Sequence, residues 1–132
     1  TLADFEDIPD DVIQHTVIYN QGVTAQGHSA SVSTIKQAST VLMKMLKVNT
    51  IAKAAHNVYA YRIANSDGSI KEGYNDCGLY GIGKQLLDRL KTDDIQHGIV
   101  VITKFKPGIS PRGLSNQIPR IINDILAISD IK

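Results

Sequence analysis

The residues able to do chemistry in this chain sit in three short stretches. They are His56-Asn57, then Asp76-Cys77 with Gly78, Gly81 and Gly83 behind them, then Lys104 to Arg112. An imidazole and a thiol invite nucleophilic catalysis. That chemistry needs a base within reach of the nucleophile, a group that orients the base, and donors for an oxyanion. His56 and Cys77 supply two of these residue types and no spacing signature, so Cys77 reads as a buried, inert thiol. Asp76 is the one carboxylate in the middle stretch, so paired-carboxylate acid–base chemistry lacks its second member. His56 and Asn57 are expected either to face a cleft or to hydrogen-bond loop backbone, as buried polar groups must.

The glycines lead into a helix, where backbone N–H groups can approach an anion. Their spacing matches neither a Walker A loop nor a dinucleotide fingerprint, and turn formation alone accounts for them. Lys104, Lys106 and Arg112 flank a loop, and Lys84 and Arg89 lie on the preceding helix. If these converge they make a basic rim for phosphate. The candidate binding set is therefore His56, Asn57, Asp76, Lys84, Lys104, Lys106 and Arg112. The four histidines (His15, His28, His56, His97) lack ligand spacing and there is one cysteine, so no metal site and no cofactor are expected.

The elements that must position these residues follow from periodicity. Residues 1–11 carry five acids around Pro9 and read as a tail or linker, leaving 12–132 as a single domain. His15 to Tyr19 and His28 to Ser33 read as strands joined in a hairpin across Asn20-Gln21-Gly22. Thr34 and Gln37 form a capping box for a helix over 34–47, whose buried stripe is Ile35, Ala38, Leu42, Met45 and Leu46. Asn49 ends it. A strand follows to about Ala64, with Tyr59, Tyr61 and Ile63 on one face and Val58, Ala60 and Arg62 on the other. After the turn at Asn65 to Ser69, residues 70–81 lack periodicity and read as loop. Ile82, Leu86, Leu87 and Leu90 mark a helix over 81–91. The apolar run 98–104 is a central strand covered on both faces. A last helix, 116–128, carries Pro119 in its first turn. The expected class is α+β, an α/β sandwich of a mixed sheet with about three helices packed on it.

The chain has 132 residues, 42% of them hydrophobic and 20% charged, enough for one core. Fourteen basic and 13 acidic residues leave a net charge of +1, so no global field draws it to nucleic acid or membrane. One cysteine excludes an internal disulfide and suits a reducing compartment. No apolar run is long enough to span a bilayer, and Thr1 opens no signal-peptide pattern. Thr1 is not an initiator Met, so the chain is expected to be a processed or cloned piece of something longer.

The run Ala54-Ala55-His56-Asn57-Val58-Tyr59-Ala60-Tyr61-Arg62-Ile63 resembles the Ala-Thr-His-Asn-x-Tyr-Ala-Tyr-Arg-Ile signature of the IMPACT family, with Ala55 in place of the Thr. Asp76-Cys77-Gly78-Leu79 stands where that family has Asp-Asp-Gly-Glu, so Cys77 and Leu79 replace two acids. Val100-Val101-Ile102-Thr103-Lys104 matches its Val-Val-Val-(Ser/Thr)-Arg strand, and Pro107 replaces one glycine of the loop behind it. Order and spacing agree over roughly residues 15 to 126. The resemblance implies a sandwich like the second domain of ribosomal protein S5. It also implies a cytoplasmic translation regulator, a non-enzymatic binding module with a protein partner and possible contact with RNA or the ribosome. In eukaryotic members that partner is the ribosome-associated activator of the amino-acid-starvation kinase of initiation factor 2, which they restrain. Those members carry an N-terminal RWD domain, and the acidic segment then reads as a remnant of the linker to it. The alternative is a nucleotide- or RNA-binding protein or enzyme using a cleft at His56, Asp76 and Lys104.

Overall fold

The computed structural model describes residues 12–19, 24–105, 116–128 and 131. The acidic segment 1–11 and the loop bearing Lys106 and Arg112 lie outside them. Five strands form one sheet: β1 (Ile13–Tyr19), β2 (Ala25–Ser31), β3 (His56–Ala64), β4 (Ile70–Asn75) and β5 (His97–Lys104), in the order β1-β2-β5-β3-β4. Helix α1 (Ile35–Leu46) and the single turn α2 (Asn49–Ala52) lie between β2 and β3. Helix α3 (Ile82–Thr92) precedes β5, and α4 (Ile118–Ile128) follows it.

The α+β class stands, but the sheet is antiparallel at every pairing rather than mixed. The helical crossover from β2 to β3 does make those two strands run the same way. They never pair, because β5 inserts between them and is antiparallel to both.

Alternation along the strands sends apolar side chains to both faces, and each face has its own core. Val58, Ala60, Val100 and Ile102 pack with Leu86, Leu90, Ile121 and Ile125 of α3 and α4. Ala30, Ile63, Ile99 and Val101 pack with Ala38, Val41 and Met45 of α1, and Tyr59 and Tyr61 join them partly buried. The capping box forms as expected: the Thr34 hydroxyl accepts from the Gln37 N–H at 3.1 Å, and Gln37 Oε1 accepts from the Ser33 N–H at 2.7 Å. Gly27 brings β2 against α4, because a Cβ there would lie 2.7 Å from Ile125 Cδ1.

Two elements differ from the sequence reading. Residues 70–75 are a strand, not a loop. β4 is an edge strand with no buried residue, so its pattern shows no apolar alternation. Cross-strand contacts hold it instead: Arg62 is the register partner of Glu72, and the two form an ion pair at 3.0 Å. The turn α2 begins at Asn49, which the sequence reading took as a stop, and buries Ile51.

Candidate functional site

The candidate residues meet around the start of β3, where the 76–81 turn approaches it. His56 Nδ1 donates to the Cys77 carbonyl at 2.7 Å, which ties the strand to the turn. The Asn57 N–H donates to Cys77 Sγ at 3.3 Å, and the Cys77 N–H is taken by Asn75 Oδ1 at 2.8 Å. Cys77 is exposed, not buried, and holds a left-handed φ of 47°. Gly78 and Gly81 also have positive φ, so the turn is built from consecutive non-extended conformations that short-range sequence periodicity does not signal.

Asp76 is committed to the fold. Its Oδ2 accepts from the Gly81 N–H at 3.0 Å and its Oδ1 from the Gly83 N–H at 2.8 Å. The carboxylate thereby satisfies two of the free donors that open α3, where the helix dipole also favours negative charge. Gly83 makes this possible, since a Cβ there would sit 2.7 Å from Asp76 Oδ1 and 3.1 Å from the Asn75 carbonyl carbon. Leu79 is buried in the α3–α4 core at 4% exposure. The turn is thus clamped by a carboxylate at one point and plugged by a leucine at another.

Of the described basic candidates, Lys84 and Lys104 do not share an exposed surface. Lys84 is exposed on α3. Lys104 is 1% exposed, at the end of β5 and in direct register with His56. It was expected beside a solvated loop, but the strand continues through it and carries it into the interior. Lys106 and Arg112 lie outside the described residues.

Sequence reasoning missed the most extensive polar feature, a chain of hydrogen bonds across the sheet on its α1 face. Asn57 Nδ2 donates to the Ile51 carbonyl at 3.0 Å, so its Oδ1 is free to accept from the Thr103 hydroxyl at 2.7 Å. A hydroxyl carries one proton, so Thr103 Oγ1 must accept from its other neighbour, and His28 Nε2 donates to it at 2.8 Å. His28 is fully buried. Desolvation, and then the charge of His15, push its pKa down to about 3, so the ring is neutral. Its bare Nδ1 then accepts from His15 Nδ1 at 2.8 Å. Burial also lowers the His15 pKa. The two rings meet edge to face at 5.0 Å. The available signal was polar residues at apolar phases of strands: His28 two residues before Ala30, and Thr103 two after Val101. Their partners are distant in sequence and visible only in register.

Asn57 and Cys77 also line a mostly apolar cleft of about 210 Å³ between α1 and the sheet, with Leu42, Met45, Tyr59 and Val101. Among the described residues no group of three or more His, Cys, Asp or Glu side chains is placed to hold a metal ion. No helix among them is long and apolar enough to cross a membrane.

Comparison with known proteins agrees with this geometry. The family model described as the Impact N-terminal domain matches residues 23–126. The IMPACT homolog of Dictyostelium discoideum is 34% identical over 99 residues, 71% of this chain and 29% of that protein. Human IMPACT is 32% identical over 111 residues, 83% of this chain and 34% of that protein. The chain thus spans about a third of the curated relatives it matches. The solved structure of the two-domain translational regulator Yih1 superposes with a TM-score of 0.59 at 22% identity, covering 94% of this chain and 50% of that one. With the signature strand, the turn against it and the sheet order all in place, this chain belongs to the Impact N-terminal domain family.

Proposed function

We propose that this chain is a cytoplasmic, non-enzymatic binding module of a translation regulator. In this reading it contacts the ribosome-associated activator of the amino-acid-starvation kinase and so restrains phosphorylation of initiation factor 2. Family membership and the likeness in fold to a translational regulator support the general class. The observation that carries the choice of binding over catalysis is the state of the 76–79 turn. Asp76 gives both carboxylate oxygens to backbone N–H groups, and Leu79 is a core side chain. A carboxylate spent on capping a helix is poorly placed to exchange protons with a substrate. The nucleotide or enzyme reading has less support, because Lys104 is buried beside His56 rather than presented to a ligand.

The test is expression of the chain in amino-acid-starved cells, with phosphorylated initiation factor 2 as readout. Lowered phosphorylation, with the activator co-precipitating, is the expected result. Normal phosphorylation at high levels of folded chain, without co-precipitation, would overturn the reading.

A further inference from the structure

His15 and His28 are 13 residues apart, a separation that carries no metal-ligand pattern, yet the fold makes them direct neighbours. They are partners in the β1–β2 ladder, so both side chains leave the same face of the sheet. Their Nδ1 atoms lie 2.8 Å apart, and the rings meet edge to face. His28 is fully buried, and the Thr103 hydroxyl accepts its Nε2–H at 2.8 Å. That bond fixes the ring's orientation and leaves Nδ1 bare. Metal-bound histidines are held in this way, with the second ring N–H donated to an oxygen. His15 is exposed at the sheet edge and opens the pair to solvent. It lines a depression of about 420 Å³ together with Met45 and Val48.

The hydrogen between the two Nδ1 atoms belongs to His15. Moving it to His15 Nε2 keeps both rings neutral and releases a second lone pair beside the first, once the exposed His15 ring turns toward the same point. Two nitrogens in adjacent square-planar positions, each about 2.0 Å from one ion, stand about 2.8 Å apart. The observed 2.8 Å matches that spacing. A tetrahedral ion would need them opened to about 3.3 Å. The pair therefore favours Cu2+, which also heads the affinity order for nitrogen donors. Hard cations such as Mg2+ want oxygen ligands and are not suited.

We propose that His15 and His28 chelate one divalent late transition-metal ion, Cu2+ ahead of Ni2+ or Zn2+, with water completing the shell, and that the ion pins β1 to the sheet. This is independent of the binding reading above. Two protein ligands are the full set offered, since no group of three or more His, Cys, Asp or Glu side chains converges among the described residues. Pinning matters at this point of the edge. The His15–His28 pair is the last before the register shifts between His15 and Ile18. Just beyond it the Thr16 hydroxyl, not a ladder carbonyl, takes the Gly27 N–H at 2.9 Å.

The test uses tag-free, metal-free chain carrying Cys77→Ser, which removes the exposed thiol as a competing ligand. CuCl2, NiCl2, ZnCl2 and MgCl2 are each titrated against the melting temperature, and the Cu2+ form is examined by electron paramagnetic resonance. One Cu2+ should bind and raise the melting temperature most, Ni2+ and Zn2+ less, Mg2+ not at all. The spectrum should show splitting from two nitrogens, and hydrogen exchange across β1 should slow. His15→Gln, at an exposed position, keeps an amide donor toward His28. It should weaken Cu2+ binding by at least about tenfold, since losing even an orienting partner of a ligand does so. His97→Gln, also exposed, should leave binding unchanged. Stabilisation by Cu2+ no greater than by Mg2+, coupling to a single nitrogen, or equal Cu2+ binding by His15→Gln would overturn the site. Unchanged exchange in β1 with Cu2+ bound would overturn the pinning.

Discussion

Acid should destabilise this protein through His28, and the size of the effect follows from where the ring sits. His28 has no exposed surface and fills the middle of the hydrogen-bonded chain between His15 and Thr103. Its pKa is lowered from the ordinary 6.5 to about 3, by desolvation first and by His15 second. Below pH 6.5 the unfolded chain therefore binds a proton that the native protein refuses until about pH 3. The stability linked to His28 is fully present above pH 6.5 and is lost progressively as pH falls through that window, at ~1.4 kcal/mol per pH unit. From pH 7.5 to pH 5 the loss is about 2 kcal/mol. The lowered pKa of His15 adds a loss of the same sign. Urea unfolding of wild type and His28→Gln at both pH values isolates the term, since carboxylate titration is common to the two proteins. The glutamine amide keeps a donor toward Thr103 and does not titrate. Wild type should be the more stable at pH 7.5, and its advantage should shrink by about 2 kcal/mol at pH 5. An advantage independent of pH would refute the reasoning, because the native ring would then take up protons as freely as the unfolded one.

Four further outcomes are expected. Gly83→Ala should destabilise by about 1–3 kcal/mol despite alanine's better helix propensity, because its Cβ would overlap Asp76 Oδ1 and the Asn75 backbone; a raised urea midpoint would contradict this. Leu86→Ala and Ile121→Ala remove fully buried side chains and should each lose about 2–5 kcal/mol, against under about 0.5 kcal/mol for exposed Lys36→Ala. Equal midpoints for the three would refute the assigned faces. Lys104→Glu should lower the melting temperature sharply while Lys84→Glu leaves it nearly unchanged, since the first site is 1% exposed and the second is on the surface. Cys77→Ser should preserve both stability and binding, because a serine hydroxyl can accept from the Asn57 N–H as Sγ does; an alkylation-rate titration revealing a low thiol pKa, with lost function in the serine variant, would revive thiol chemistry.

Much of the fold was legible because two-residue and 3.6-residue periods are local properties. The faces of β3 are as the alternation predicts, with Tyr59, Tyr61 and Ile63 toward α1 and Val58 and Ala60 toward α3. The stripes of α1, α3 and α4 likewise found their cores, except that Leu46, expected in the α1 stripe, is 54% exposed. Illegible features depend on what lies beside an element. β4 buries nothing, so its strand character comes from pairing with β3. The insertion of β5 between β2 and β3, which makes the sheet antiparallel, is a choice of neighbours that periodicity does not encode. At the candidate site, the His56-Asn57 contacts with backbone could be anticipated from the need to satisfy polar groups. The placement of Lys104 could not, because a lysine at the end of an apolar run looks the same whether the strand stops before it or continues through it.

This domain is proposed to work by binding a protein surface, with the 76–79 turn as scaffold. The most direct test is an equilibrium titration of the purified chain against the purified ribosome-associated kinase activator, using wild type and Cys77→Ser in parallel. Saturable binding of equal affinity is expected for both proteins, with no thermal stabilisation of either by mononucleotides. Absence of binding to the activator, together with clear stabilisation of the wild-type chain by a mononucleotide, would contradict it.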